Sequence, residues 1–211
     1  MAASPQEGRA DRVRTTSSVQ GAATLSHILS TSIALFSERG YAATTMRQLA
    51  DRSEMPISAF YYYYRSKYDV LLAIMEGSIG EGERSIQAAL DDELPADEQL
   101  AAIVSAHVAS HLENPLAARV AETELRSLKE PDLQKMLRRR RAYEQPFRSA
   151  LERGIAEGLF PADLDVTIAK NLIITMSTGV IDWWRPRGNY SPERLSDLIA
   201  SYAVGMAAAE R

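Results

Sequence analysis

Apolar residues recur at helical spacing along nearly the whole chain, and most of the interior prolines stand where those runs begin. Leu25, Ile28, Leu29, Ser32 and Phe36 share one face of a helix. Gly40 ends it. Thr44 or Thr45 offers an N-cap for a short helix through Met46, Leu49 and Ala50. Pro56 opens the next helix, and Ser66 caps a longer one carrying Val70, Leu71, Ile74 and Met75. Beyond Pro95 the pattern predicts helices near 96–112, 116–128, 132–157, 164–184 and 192–209. Pro115, Pro131, Pro161 and Pro192 each stand at a start, where a missing N–H does no harm. Pro146 lies inside 132–157 and is expected to kink it. No segment reads as a strand and no repeat is visible, so the fold class is all-α.

Composition bounds the setting. With 45% hydrophobic and 25% charged residues, the chain reads as an ordinary globular protein. It has no apolar run of membrane-spanning length. MAASPQEGRADRVRTTSS lacks the apolar core of a secretory signal. The absence of cysteine excludes disulfides and thiol chemistry and fits a cytoplasmic location. Residues 1–21, rich in Ser, Thr, Ala, Gly and Arg without periodicity, read as a disordered arm. The net charge of −4 is uneven: residues 1–70 hold eight Lys/Arg against six Asp/Glu, leaving the remainder acidic. A polyanion would therefore bind at the front.

The stretch PISAFYYYYRSK, residues 56–67, sharpens this. Helix, short turn and helix across 45–64 has the shape of a helix-turn-helix. At 100° per residue, Phe60 and Tyr64 share a face and can pack on the preceding helices, particularly on Leu49 and Phe36. Tyr61 and Tyr62 then point away from the core. In a DNA major groove a phenol ring covers sugars and thymine methyls while its hydroxyl bonds a phosphate. Lys67, at the rim, would neutralise a phosphate.

FSERGYAATTMRQLADRSEMPISAFYYYYRSKYDVL resembles the DNA-binding segment of TetR-family transcriptional repressors. The shared features are F-x-x-x-G-Y/F-x-x-T-T/S, then R-x-L-A, then F-Y-Y-Y-Y-x-S-K, across roughly residues 24–72. The resemblance implies an N-terminal three-helix helix-turn-helix domain over 22–68, then a larger helical ligand-binding and dimerisation domain over 69–211. It implies contacts with a double-stranded operator at Thr44, Thr45, Arg47, Ile57, Ser58, Tyr61, Tyr62, Tyr63 and Lys67. Two positions depart from the family pattern. Glu54 stands where the turn usually has Gly, so a positive φ there would cost about 1 kcal/mol. Pro56 replaces the usual Ser/Thr N-cap.

Reading two half-sites needs a partner subunit. The last two helices, carrying IAKNLIITMSTGVIDWW and LSDLIASYAVGMAA, are the candidates. They are apolar over more than one face, with Gly179, Ala203, Gly205, Ala207 and Ala208 small enough for close approach. The TetR resemblance implies a homodimer through such a pair in a four-helix bundle. HVASHLENPLAARVAETELRSLKEPDLQKMLRRRRAYEQPFRSALERGIAEGLF, with GVIDWWRPRGNYSPERL, resembles the C-terminal domain of TetR-family regulators of sterol and fatty-acid catabolism. That resemblance implies a small-molecule inducer, commonly an acyl-coenzyme A.

Arg138–Arg141 sweep about 300° and cannot share one solvent face. Leu133, Met136, Leu137, Phe147 and Leu151 mark the apolar stripe, and Arg140 and Glu144 fall inside it. They form either an intrahelical pair or a cationic lining for an anionic ligand. On 164–184, Asn171, Thr175, Thr178 and Asp182 either line a pocket or link the dimer bundle. Trp183, Trp184 and Arg185 at its end read as pocket wall or dimer core. His107 and His111, at i and i+4, have a spacing that can grip a metal. Glu122 or Glu124 would have to complete such a site. The three together give the enzyme alternative, a metal-assisted hydrolase. Without a glycine-rich phosphate loop, a nucleophile elbow or an HExxH motif, that alternative has no support. The reading is a ligand-responsive repressor, not an enzyme, with no cofactor, no metal site and no membrane partner. The runner-up is a repressor sensing a hydrophobic drug or lipid without coenzyme A.

Overall fold

The computed structural model describes residues 19–209, so the arm expected over 1–21 lies outside the described residues up to position 18. Among the described residues there are only helices. They are α1 (Val19–Arg39), α2 (Met46–Arg52), α3 (Ile57–Tyr63), α4 (Lys67–Ala89), α5 (Ala96–Glu113), α6 (Pro115–Thr123), α7 (Asp132–Ala156), α8 (Val166–Thr178), α9 (Val180–Trp183) and α10 (Pro192–Ala208). A 3-10 turn covers Leu125–Ser127. The all-α expectation holds.

Proline and short polar side chains set most starts. Pro115 and Pro192 are first residues of α6 and α10, while Pro56, Pro95 and Pro131 occupy the N-caps of α3, α5 and α7. Ser191 caps α10 by accepting from the Arg194 N–H. Asp165 caps α8, taking the Thr167 and Ile168 N–H groups at 3.0 Å each. Two expected helices are shorter than their periodicity suggested. The segment 116–128 leaves the α-helix after Thr123 and tightens into the 3-10 turn. The segment 164–184 begins at its Asp165 cap and breaks at Gly179 into α8 and α9. α7 runs continuously through Pro146.

The chain forms two compact units. One comprises the residues up to Glu76 together with Val120–Leu128; the other comprises Gly77–Arg119 and the residues from Lys129 onward. The division falls inside α4, whereas the sequence placed it at 68/69. In the first unit α1 packs on α2 and α2 on α3. Its buried residues include Ile28, Leu35, Phe36, Leu49, Phe60, Tyr64, Val70, Leu71, Ile74 and Met75. In the second, α5 is the central strut, packed against α7, α8, α9 and α10. Leu100, Ile103, Val104 and Val108 of α5 join Phe147 and Leu151 of α7, Ile173 of α8, and Leu195 and Ala203 of α10 in one core.

Two glycines in this second unit do opposite things. At the end of α7 the chain reverses through Gly158, whose φ is +74°, and the Leu159 and Phe160 N–H groups return to the Gly154 carbonyl. Phe160 thereby lies on Gly154, where an added Cβ would fall 2.2 Å from its ring. A Cβ on Gly77, inside α4, would meet nothing within 4 Å. Gly77→Ala is accordingly expected to stabilise the protein by about 1 kcal/mol through helix propensity. Gly154→Ala is expected to destabilise it by about 1–3 kcal/mol through overpacking. Urea unfolding of the two variants checks both signs.

Candidate nucleic-acid interface

The geometry of α2 and α3 begins with capping. Thr45 accepts from the Gln48 N–H, and the Gln48 side chain takes the Thr45 N–H at 2.9 Å, a complete capping box. α2 ends at Ser53, a buried residue fastened to α1 from two sides. Its carbonyl accepts from His27 Nε2 at 3.3 Å, and its hydroxyl lies 2.7 Å from Thr31 Oγ1. Glu54 follows with φ +54°, the left-handed turn anticipated at that position. Pro56 then occupies the N-cap of α3 without any side-chain cap bond. The Met55 N–H returns to the Ala50 carbonyl at 3.0 Å, closing the turn.

α3 is two-sided. Phe60 and Tyr64 are buried, with ring centroids 6.4 Å apart. Burial pushes the Tyr64 phenol up to about 12, so it stays neutral. On the other side Tyr61 is 49% exposed, Tyr62 is 51% exposed, and Ile57 and Ser58 are exposed beside them. Thr45 and Arg47 of α2 are exposed as well. Tyr63 is half-buried, its ring edge-on to Tyr62 at 5.3 Å. Two other expected residues are engaged inside the unit. Thr44 is buried, and its hydroxyl donates to the Gly40 carbonyl at 2.9 Å. The Lys67 ammonium donates to the carbonyls of Tyr41, Ala42 and Thr44.

The residues expected to meet a ligand lie in the second unit, on α7, α8 and α9. Arg140 is half-buried. Glu144 accepts from Lys170 of α8 in an ion pair, a cationic partner that the sequence did not anticipate. Thr175 is exposed, whereas Thr178 lies 3.1 Å from His107 Nε2. Asp182 pairs with Arg119 Nη1 at 3.1 Å. Arg185 donates to the Asp182 and Trp184 carbonyls at the end of α9. Trp183 is exposed, while Trp184 is buried and donates from Nε1 to the Tyr190 carbonyl. Sequence reasoning missed Tyr143, whose hydroxyl is 2.6 Å from His107 Nδ1. Its only signal was its place on the α7 stripe, one turn before Phe147. Among the described residues no group of three or more His, Cys, Asp or Glu could hold a metal.

Two family models match the chain. One, described as "Bacterial regulatory proteins, tetR family", covers residues 28–74. The other, "Tetracyclin repressor-like, C-terminal domain", covers residues 93–207. The fatty acid metabolism regulator protein of Bacillus subtilis is 23% identical over 178 residues, 84% of this chain and 92% of that protein. The ketosteroid transcriptional regulator KstR2 of Mycobacterium tuberculosis superposes with a TM-score of 0.82 at 22% identity, covering 94% of this chain and 100% of that one. AibR, solved with isovaleryl coenzyme A and operator DNA, superposes with a TM-score of 0.75 at 22% identity, covering 88% and 98%.

His107 is the buried centre of the second unit's polar residues. Tyr143 and Thr178 flank its two nitrogens, and the His111 ring lies tilted against it at 4.3 Å between ring centroids, with Nδ1 donating to the His107 carbonyl. Burial, and secondarily the neighbouring His111, hold its pKa well below 6.5. The folded protein therefore keeps it neutral while the unfolded chain takes a proton near pH 6.5. Its contribution is complete above that pH and is lost progressively as pH falls below it. Melting temperature is expected to drop more steeply below pH 6.5 in the wild type than in His107→Gln. Parallel melting curves of the two proteins between pH 8 and 5 check this.

Proposed function

The chain belongs to the TetR family of DNA-binding transcriptional regulators, and from that premise we propose a ligand-responsive repressor that binds a palindromic operator as a homodimer. The observation that carries this reading is the two-sided α3. Its buried Phe60 and Tyr64 hold Ile57, Ser58, Tyr61 and Tyr62 outward beside Thr45 and Arg47. Such a face suits a major groove, where phenol and guanidinium groups meet phosphates and base edges. Tyr62→Phe removes one hydroxyl and is expected to weaken operator binding by about 1 kcal/mol, roughly fivefold. Fluorescence anisotropy on the operator checks it; unchanged affinity in both Tyr62→Phe and Arg47→Ala sinks this placement of the reading face.

For the homodimer, support comes from the outer surface of α8 and α10. Ile168, Leu172 and Tyr202 are each more than half exposed, a row of apolar side chains that a second copy would cover. Leu172→Asp is expected to cost at least about 2 kcal/mol of association, roughly thirtyfold. Sedimentation velocity reads this directly.

The inducer proposed is an acyl-coenzyme A thioester. The Bacillus relative regulates fatty-acid metabolism and AibR was solved with isovaleryl coenzyme A. Arg140, half-buried on α7, suits a phosphate or carboxylate. Because Lys170 already pairs with Glu144, removing the guanidinium does not strand that carboxylate. Arg140→Met is expected to keep operator affinity but to lose release by acyl-coenzyme A, read by an operator-release titration. One observation favours the second reading, a lipid or drug lacking coenzyme A: the neutral His107–Tyr143–Thr178 chain offers hydrogen bonds without charge. Release by a free fatty acid as strong as that by its coenzyme A ester selects that alternative.

A further inference from the structure

An ammonium group has three N–H donors and no acceptor. In Lys67 all three have partners inside the protein: the carbonyls of Tyr41, Ala42 and Thr44, at 2.9, 3.0 and 2.8 Å. These carbonyls belong to the turn between α1 and α2. The charge also sits 4.5 Å from the centroid of the Tyr41 ring, a cation–π contact on the same turn. A phosphate oxygen would have to displace one of these bonds.

The same turn is held from a second direction. Glu124 belongs by its contacts to the first unit, and its Oε1 accepts the Tyr41 N–H at 3.2 Å. Its other oxygen accepts from the Ser127 hydroxyl at 2.7 Å, which fixes the carboxylate. The Tyr41 ring packs edge-on to Phe36 at 5.5 Å. Thr44 is tied back to Gly40 through its hydroxyl and to Tyr41 through its N–H. The next residue is Thr45, the N-cap of α2, and Arg47 lies two residues on.

We propose that Lys67 and Glu124 are positioning residues for operator recognition: together they clamp the Tyr41–Thr44 turn and so set where α2 presents Thr45 and Arg47. Lys67 acts here through backbone carbonyls and not as a phosphate ligand. This rests on the reading of α2 and α3 as the DNA-reading face; it gives Lys67 a positioning role in place of the expected phosphate contact and adds Glu124, which need not touch DNA.

Lys67→Arg separates the two roles. A guanidinium serves a phosphate at least as well as an ammonium, but its planar fork does not match three carbonyls converging on one point. The probe is a duplex carrying the sequence that the wild-type chain selects from a randomised pool, beside a scrambled duplex of equal length. Lys67→Arg is expected to lose at least tenfold in affinity for the selected duplex while binding the scrambled one as the wild type does. Glu124→Ala is expected to do the same. Glu124→Gln, whose amide oxygen still accepts from Tyr41, is expected to restore binding to within about threefold.

Lys67→Arg binding the selected duplex like the wild type, or both duplexes weakening in parallel with a salt slope lower by about one, overturns the clamp. If Lys67→Arg does not melt cooperatively, Glu124→Ala and its Gln rescue decide alone. Wild-type affinity on the selected duplex likewise overturns the clamp. Failure of the wild-type chain to select any duplex would instead refute the DNA-reading face.

Discussion

The rotation of α3 about its own axis decides what this protein can present to a partner, and two buried rings fix it. Phe60 and Tyr64 are four residues apart, so a helix places them on one side, and both are almost fully buried. With that side inward, Tyr61 and Tyr62 have nowhere to go but out. The buried phenol remains neutral, since burial pushes its pKa up to about 12. α3 is only seven residues long and would not be stable alone. Its place therefore depends on the turn before it, where Glu54 accepts a left-handed backbone while His27 and Thr31 tether Ser53 to α1.

Much of this was legible in the sequence because its causes are local. Helical periodicity, proline at helix starts, the Thr45–Gln48 box and the i,i+4 relation of Phe60 and Tyr64 act within a few residues. Glu54 was read as a strained turn position for the same reason, since only its place between α2 and α3 mattered. The misses have a common origin. The segments 116–128 and 164–184 keep their apolar period past the points where the α-helix stops, so hydrophobicity alone hid the breaks at Glu124 and Gly179. Glu124 leaves the helix with φ −100° and ψ 9°, and its side chain meets Tyr41, 83 residues away.

Charged and polar side chains were harder still, because their partners come from other elements. The position of Arg140 one turn before Glu144 left an intrahelical pair or an anion-binding role open, and gave no sign that Glu144 also receives Lys170, 26 residues on. His107 and His111 had a metal-gripping spacing, yet His107 has its nitrogens beside Tyr143 and Thr178, 36 and 71 residues away. Lys67 at a helix start beside the tyrosine run suggested a phosphate contact. Its three carbonyl acceptors lie 23 to 26 residues earlier. A helical face can be read from spacing, but a hydrogen-bond partner across the fold cannot.

The middle of α4 joins these local and distant causes. Gly77, Gly80 and Gly82 fall within six residues, and each weakens a helix by about 1 kcal/mol relative to alanine. Only Gly82 has a packing reason, since a Cβ there would come within 3.0 Å of the Tyr143 ring. Gly80 would meet nothing closer than the ends of Arg84 and Arg139, at 3.5 Å, and Gly77 nothing at all. Intrinsic propensity therefore does not hold this stretch in a helix. Tertiary contacts do: Glu83 receives both Nε and Nη2 of Arg139, and Tyr143 lies against Gly82 with its hydroxyl on His107. The first of the three points where the chain passes between the two compact units is Glu76/Gly77, at the first of these glycines. The helix is thus weakest, by its own sequence, where the chain passes from one unit into the other.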